Sequence, residues 1–187
     1  MKINLTEIYK GLDEWRAERK ITAESQKEGY LVNIMEELGE LAQALRYYDR
    51  ALVDECSYCK AIKQTAEHKI IDALCDISVF TINAGTDIIP DEIDTRNNQS
   101  LSFLLAWINY FESSNFVKHA NDVLMCCASV CEQYGFNFEI AMLETIKEIS
   151  SRTGAYDENA KKWVKDTSEA AKSKWYQADY EKARIKQ

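Results

Sequence analysis

The chain has 187 residues and 46% of them are hydrophobic, which is enough for one well-buried domain and excludes general disorder. One proline and six glycines are too few for the many tight turns of an all-β sandwich or barrel. A net charge of −8 disfavours non-specific nucleic-acid binding, whose affinity depends on cations that neutralise phosphates. The acidic excess lies before Lys147, because the residues from there onward carry ten basic and seven acidic side chains.

The sequence shows no membrane-spanning segment and no complete zinc motif. Its apolar runs are shorter than the ~18 residues of a transmembrane helix, and its first residues lack the apolar core of a signal peptide. We therefore expect a cytoplasmic protein with no membrane partner and with reduced cysteines. Cys56-x-x-Cys59 has the spacing of half a zinc site, but no second half follows, so small buried side chains are the better interpretation.

Hydrophobic periodicity predicts helices along nearly the whole chain. A stripe at Leu5, Ile8, Leu12 and Trp15 has the spacing of a first helix. Gly135 follows the fifth predicted helix, as glycine often does at a helix C-terminus. The later helices are predicted at about 26–49, 65–84, 100–111, 116–134, 139–151 and from 168 onward. We therefore predict a single all-α domain over 1–187, a bundle of five to seven helices.

The second predicted helix carries a stripe of acidic residues. Glu36 and Glu37 precede Glu40 by four and three residues, which places the carboxylates on one side of the helix. Asn33 lies four residues before Glu37 and extends this stripe. The flanking residues are apolar, so the carboxylates border a packed surface. Taken alone, the helix also fits the solvated face of an ordinary amphipathic helix, because glutamate is a good helix former.

The third predicted helix carries two aspartates inside an apolar run. Asp72 and Asp76 are four residues apart, and Asn83 lies two turns beyond Asp76 on the same side. Aspartate is a mediocre helix former, so helix propensity does not explain these residues. Crowded carboxylates repel one another unless cations neutralise them. Hard oxygen ligands on two facing helices suit Mg²⁺, with Mn²⁺ as a possible substitute.

The order of these motifs resembles that of the MazG-like all-α nucleoside triphosphate pyrophosphohydrolases, a superfamily that includes dimeric dUTPases and phosphoribosyl-ATP pyrophosphohydrolases. The family pattern is EExxE, a variable spacer and ExxD. This chain has Glu36-Glu37-x-x-Glu40 and an acidic pair that ends at Asp76. The resemblance implies a MazG-like core over 26–85 and 135–152, an inserted helical segment over 86–134, and a polar, basic C-terminal segment over 153–187.

One position departs from the family pattern. The glutamate of ExxD is expected three residues before Asp76, and that position is Ala73. Asp72 is the nearby carboxylate on a usable face of the helix. Either Asp72 replaces the missing ligand with a shorter reach, or one metal site is weaker than in the family.

The resemblance implies Mg²⁺-dependent hydrolysis of a (deoxy)nucleoside triphosphate to a nucleoside monophosphate and pyrophosphate, for control of the nucleotide pool. It implies Mg²⁺ bound by Glu37, Glu40 and Asp76, with Asp72 as the substitute ligand. Glu36 is then the catalytic candidate that orients or deprotonates the attacking water, or it is one more ligand. The resemblance also implies a homodimer or a homotetramer.

Further polar and aromatic residues are candidates for substrate binding. The asparagines among them either bind the substrate or satisfy contacts between helices. Cations of the C-terminal segment fit a segment that folds over the site and binds phosphates, whereas its aromatic residues fit better as anchors to the body. The substrate-binding candidates are Asn33, Asn83, Arg152, Lys162, Lys165 and Trp15.

Two other functions stay open on the sequence. A carboxylate-bridged di-iron or di-manganese bundle is disfavoured, because neither His68 nor His119 is preceded three residues earlier by a glutamate. A non-catalytic helical interaction module of the same fold is the other alternative, and the alanine at position 73 favours it.

Overall fold

The computed structural model describes residues 2–52, 57–85, 90–95, 100–109, 116–159 and 162–186. These residues are mostly helical, which confirms the predicted all-α bundle. The described residues form seven α-helices: α1 Thr6–Arg19, α2 Ala23–Leu52, α3 Ser57–Ala84, α4 Leu101–Asn109, α5 Phe116–Gln133, α6 Phe138–Ser151 and α7 Glu169–Lys172. A 3₁₀ helix, Tyr180–Ala183, lies near the C-terminus.

Among the described residues, the two longest helices, α2 and α3, form an antiparallel pair with the largest contact between elements. Tyr30, near the start of α2, bonds through its hydroxyl to that of Thr81, near the end of α3, at 2.9 Å. Both helices extend further than the predicted 26–49 and 65–84. The first two turns of α3 are largely polar and lack an apolar stripe, so the periodicity did not reveal them.

Helix α3 is the central element of the core. Its buried residues contact α5 and α6 as well as α2, and they include Ile70, Leu74, Ile77 and Ile82. The side chains of Asp72 and Asp76 lie on this central part of α3 and are half-buried. This position explains why Asp72 and Asp76 sit within an apolar run.

Several smaller predictions are confirmed by the described residues. Helix α5 ends at Gln133, and Gly135 has a positive φ of 81°, which a glycine adopts without strain. Cys75, Cys126, Cys127 and Cys131 are fully buried, so these thiols act as small core side chains. Cys56 of the half zinc motif lies outside the described residues. In the part of the chain that is described, no helix has the length and apolarity to cross a membrane.

Two short antiparallel ribbons were not predicted. In the first, β1 (Lys2–Asn4) pairs with β2 (Glu92–Asp94). In the second, β3 (Gly154–Asp157) pairs with β4 (Lys162–Lys165). At Gly154 a Cβ atom would lie 2.3 Å from Cζ2 of Trp163, so the glycine allows this ring to pack against the ribbon.

Arg19 fixes the C-terminal end of α6. It is 5% exposed, and its Nη2 donates to the carbonyl oxygens of Ile149, Ser150 and Arg152 at 3.1–3.3 Å. These carbonyls have no partner within the helix, and a cation there also interacts favourably with the helix dipole. The guanidinium lies 4.9 Å from the ring centre of Trp163. Arg19 thus joins α1, α6 and the β3–β4 ribbon.

Candidate functional site

The four predicted metal ligands share one electrostatic neighbourhood between α2 and α3. Glu37 is half-buried; burial, and then the charges of Glu40, Asp72 and Glu36, raise its pKa to about 7. Burial raises the pKa of Asp76 well above its usual range, with further contributions from Asp72 and Glu37. Glu37 and Asp76 therefore each respond to the charges of neighbouring carboxylates. We call Glu37, Glu40, Asp72 and Asp76 the carboxylate cluster.

A fifth carboxylate, Glu148 of α6, adjoins the carboxylate cluster and was missed in the sequence. Its charge raises the pKa of both Asp72 and Asp76, although burial is the larger cause for each. Its Oε2 accepts a hydrogen bond of 2.8 Å from the backbone N–H of Ala178. The sequence does indicate that Glu148 lies beside Arg152, because the two residues are four positions apart and share one helix face.

Arg152, a predicted substrate-binding residue, lies against the carboxylate cluster. Its Nη2 donates to Oε1 of Glu148 at 2.9 Å. Its positive charge lowers the pKa of Glu37, Asp72 and Asp76, opposing the effect of burial. Its Nε is buried and has no hydrogen-bond partner among the described residues. The guanidinium thus supplies local positive charge and retains unused donor capacity.

Tyr180 links the C-terminal segment to the carboxylate cluster. This tyrosine is 4% exposed, and its hydroxyl donates to Oδ1 of Asp72 at 2.6 Å. The same hydroxyl lies 3.0 Å from Oγ1 of Thr145 on α6. Burial raises the pKa of Asp72, whereas the hydrogen bond from Tyr180 lowers it. Tyr180 therefore holds one oxygen of Asp72 in place and stabilises its charged form.

The other aromatic residues of the C-terminal segment also attach it to the body. The hydroxyl of Tyr176 donates to Oε2 of Glu144, and its backbone N–H donates to Oγ of Ser151 at 2.8 Å. Glu144 is 1% exposed and also accepts hydrogen bonds from Lys147 and Lys182. Burial raises the pKa of Glu144, but these hydrogen bonds outweigh it and lower the pKa to about 2.

The two predicted lysines of β4 differ in position. The pKa of Lys165 is lowered by burial and by Arg152, and is raised by Asp76 and Glu148. Lys165 therefore lies near the carboxylate cluster, and its Nζ stands 5.2 Å from the ring centre of Trp175. Both lysines are exposed, and Lys162 lies opposite Asp157 in the register of the ribbon.

Asn83 and Trp15 occupy contacts between helices. Asn83 is fully buried, and its Oδ1 accepts from Nη1 of Arg16 at 2.6 Å, while its Nδ2 has no partner among the described residues. Nε1 of Trp15 donates to the carbonyl of Ile149 at 3.3 Å. Asn83 thus makes the contact between helices that was the alternative to substrate binding, and Trp15 joins α1 to α6.

Asn33 and Glu36 lie on the more open side of α2. Asn33 is half-buried, whereas Glu36 is exposed and acts electrostatically on its neighbour Glu37. The carboxylate of Glu36 therefore lies beside the carboxylate cluster without being enclosed in it.

The donor chemistry of the carboxylate cluster suits Mg²⁺, although its side chains are not gathered around one point. Among the described residues, no group of three or more His, Cys, Asp or Glu side chains has the geometry of a metal site. Arg152 and Tyr180 instead stabilise the charges of Asp72 and its neighbours. The raised pKa values of Glu37 and Asp76 indicate that a further cation beside them is favourable. Carboxylate oxygens are the ligands that Mg²⁺ prefers.

Comparison of the whole chain with known proteins gives no relative. Its sequence and structure match no family model, no curated protein and no solved structure. The resemblance to the MazG-like pyrophosphohydrolases therefore rests on the motif residues of α2 and α3.

Proposed function

We propose that this protein hydrolyses a (deoxy)nucleoside triphosphate to a nucleoside monophosphate and pyrophosphate, with Mg²⁺ as cofactor. One observation carries the proposal. Burial and the charges of neighbouring carboxylates on α2, α3 and α6 raise the pKa values of Glu37 and Asp76, and Arg152 lies beside them. The stability of the protein gains nothing obvious from such crowding, whereas binding of a divalent cation and a polyphosphate needs it.

The residues proposed to hold Mg²⁺ are Glu37, Glu40, Asp72 and Asp76, and Mn²⁺ is the proposed substitute because it also prefers oxygen ligands. When bound, the metal supplies positive charge that neutralises the triphosphate oxygens. At position 73, where the family pattern has a glutamate, this chain has an alanine that is buried in the core at 2% exposure. Asp72 is the residue proposed to act in place of that glutamate. Tyr180 holds Asp72 by its hydrogen bond.

Two cations of the chain are proposed to bind the triphosphate. Arg152 has an unused donor at Nε, and a guanidinium binds phosphate oxygens in a bidentate manner. Lys165 brings a second positive charge from β4. Glu36, exposed and adjacent to Glu37, is the residue proposed to orient the attacking water. Attack on the triphosphate then releases pyrophosphate.

The test is pyrophosphate release from a panel of ribo- and deoxynucleoside triphosphates with Mg²⁺. Wild type is compared with Glu40→Gln and Asp76→Asn. The matched control is Glu28→Gln, which changes an exposed glutamate of the same helix outside the carboxylate cluster. We expect turnover of at least one nucleotide, a decrease of at least about a hundredfold in both cluster variants, and wild-type activity in the control.

The same experiment separates the competing functions. If no nucleotide is hydrolysed, or if Glu40→Gln equals wild type, the proposed activity is wrong. Bound iron or manganese with a visible absorption band in the purified protein would instead support the dimetal bundle. A stable protein without turnover would support the non-catalytic module of the same fold.

A further inference from the structure

Trp175, which follows α7, has a hydrogen-bond donor that the fold leaves unused. Its indole Nε1 is buried and has no partner among the described residues. An indole N–H can only donate, and a buried donor that lacks an acceptor costs free energy. Such a group is either a small loss of stability or the partner of a ligand. The neighbours of this N–H favour a ligand.

Trp175 lies next to the end of α6, where a second buried donor is also unused. The backbone N–H of Tyr176 donates to Oγ of Ser151 at 2.8 Å. The residues that adjoin Trp175 and Arg152 in sequence are therefore in direct contact. Nε of Arg152 is buried and has no partner in the described part of the chain, although Nη2 of the same guanidinium binds Glu148. Two segments thus each bring an unused N–H to this region.

Lys165 of β4 adjoins both of these donors. Its Nζ lies 5.2 Å from the ring centre of Trp175. Burial lowers the pKa of Lys165, and the positive charge of Arg152 lowers it further, so the two cations are close together. Lys165 also pairs in the ribbon with Gly154, two residues after Arg152. We call Nε of Arg152, Nε1 of Trp175 and the ammonium group of Lys165 the donor cluster.

The ammonium group of Lys165 is available to an anion. This side chain is exposed and takes part in no ion pair with the described residues. The nearby carboxylates in sequence are bound elsewhere. Oδ1 of Asp166 accepts from the backbone N–H of Ser168 at 2.9 Å. Glu169 pairs with Lys172 at 3.1 Å. An anion can therefore approach the donor cluster from the side of Lys165.

The donor cluster borders the carboxylate cluster. The negative charges of Asp76 and Glu148 raise the pKa of Lys165, opposing the larger effects of burial and Arg152. The charge of Arg152 in turn opposes the effect of burial on the pKa of Asp76. An anion held by the donor cluster therefore lies beside the position proposed for Mg²⁺, where it can be one end of the same triphosphate.

The donor cluster matches a terminal phosphoryl group. Such a group has three oxygens that accept hydrogen bonds strongly, whereas an inner phosphoryl group of a triphosphate and a carboxylate each have two. The donor cluster offers three separate donor groups, of which two are cationic. The number of donors and their charge therefore favour the γ-phosphoryl group over an inner one.

We propose that Trp175 is a specificity-determining residue, whose indole N–H binds the terminal phosphoryl group of the triphosphate together with Arg152 and Lys165. The inference rests on the proposed function, and adds to it a binding residue and a preference for a terminal phosphoryl group. Free pyrophosphate, the proposed product, carries the same group. Pyrophosphate therefore binds to the donor cluster without any hydrolysis, and this binding is measurable by itself.

The experiment is isothermal titration of the full chain with inorganic pyrophosphate in the presence of Mg²⁺. Trp175→Phe keeps an aromatic ring and removes the N–H, so we expect the dissociation constant to rise about tenfold. Lys165→Gln, at an exposed position that does not endanger the fold, is expected to raise it by a similar factor. The matched control is Trp163→Phe, at a ring that packs against Arg19 and Gly154, and its constant is expected to stay within about twofold of wild type.

Titration with oxalate tests the preference for a phosphoryl group. Oxalate is also an anion and also binds Mg²⁺ through oxygen, but each of its carboxylates has only two oxygens. Trp175→Phe is therefore expected to leave oxalate binding nearly unchanged. An equal loss of affinity for oxalate and pyrophosphate would contradict the preference.

The indole N–H signals in a ¹H–¹⁵N NMR spectrum test the hydrogen bond directly. The chain has four tryptophans, and the signal that is missing from the spectrum of Trp175→Phe belongs to Trp175. We expect this signal to move downfield when pyrophosphate is added. The signal of Trp15, whose N–H already donates to the carbonyl of Ile149, is expected to stay in place.

Several results would overturn the proposal. A wild type that binds no pyrophosphate at millimolar concentration lacks the site, and a Trp175→Phe variant with wild-type affinity excludes this N–H from it. Failure of the proposed function is a separate result. Pyrophosphate affinity that depends on Trp175, without turnover of any nucleotide, supports the donor cluster and rejects the hydrolysis. Turnover of a nucleotide with pyrophosphate affinity independent of Trp175 does the opposite.

Discussion

The hydroxyl of Tyr180 donates a hydrogen bond of 2.6 Å to Oδ1 of Asp72, and thereby joins two residues that are 108 positions apart in sequence. Tyr180 lies in the 3₁₀ helix of the C-terminal segment, whereas Asp72 lies on the central helix α3. The contact makes the C-terminal segment part of the support of the carboxylate cluster. It also explains how Asp72 is held in place, although its side chain is shorter than the glutamate that the family pattern has one position later.

Loss of this hydroxyl is expected to weaken cation binding more than it weakens the fold. Tyr180→Phe removes the donor to Asp72 and keeps the buried ring. We expect Mg²⁺ affinity to fall about tenfold, because partners that orient a ligand are worth that much, and stability to fall by about 1 kcal/mol. Isothermal titration with Mg²⁺ and urea unfolding measure the two effects. Tyr156→Phe, in the β3–β4 ribbon, is the control; equal Mg²⁺ affinity in both variants would contradict the role of Tyr180.

The stability of the metal-free protein is expected to fall as the pH rises from about 4.5 to 7. The pKa of Glu37 is raised from its ordinary value of 4.5 to about 7, so the folded state binds more protons than the unfolded state in this window. The stabilisation is complete below pH 4.5 and is lost as Glu37 ionises. The expected loss in the free energy of unfolding is on the order of 2 kcal/mol. Urea unfolding at several pH values with a chelator measures it.

Two additions make this pH prediction specific. Saturating Mg²⁺ is expected to remove the decline, because the cation stabilises the ionised carboxylates. Glu37→Gln is expected to flatten the curve in the absence of metal. A curve that is the same for wild type and Glu37→Gln would show that this carboxyl group does not cause the decline.

Glu144 is expected to make the stability of the protein rise with pH, over a lower pH range than the decline caused by Glu37. Its pKa is lowered from 4.5 to about 2 in the folded state, so its contribution is fully present above about pH 4.5 and is lost as the pH falls toward 2. Glu144→Gln is expected to destabilise the protein by about 2–3 kcal/mol at pH 7 and to lose less stability on acidification. Thermal unfolding between pH 2 and 7 tests this, with Glu139→Gln on the same helix as the control.

Arg19 is expected to be one of the most important side chains for stability. Arg19→Met keeps the aliphatic stem but removes the donor to the carbonyl oxygens of Ser150 and Arg152, and leaves that of Ile149 only its bond from Trp15. We expect a loss of about 2–4 kcal/mol of unfolding free energy. Lys10→Met, at an exposed position of α1, is expected to cost less than about 0.5 kcal/mol. Similar losses for both variants in urea unfolding would rule out a special role for the Arg19 contacts.

Local patterns predicted the helices and the polar residues that share a helix face. The apolar stripe of α1 and the glycine at position 135 marked real helix features, because periodicity and turn chemistry depend on neighbours in sequence. Asp72 and Asp76 could be singled out because an aspartate in an apolar helix is unusual. The first turns of α3 were missed, because polar residues that form helices carry no periodic signal.

Contacts between distant segments could not be predicted. Glu148 and Tyr180 reach the carboxylate cluster from α6 and from the C-terminal segment. Neither residue lies in a sequence motif that indicates which residue it contacts. The same holds for Arg19, whose sequence environment resembles any basic helix end, although its guanidinium is buried against α6. The β1–β2 ribbon pairs residues 2–4 with residues 92–94, so no local pattern could indicate it.

The most direct test of the proposed function is the identity of the products. Purified protein with Mg²⁺ is incubated with the nucleoside triphosphate that it turns over fastest, and the nucleotides and phosphates are quantified by chromatography. We predict one nucleoside monophosphate for each pyrophosphate, and loss of both in Glu40→Gln. Formation of a nucleoside diphosphate and inorganic phosphate, or the absence of any turnover, would contradict the proposed function.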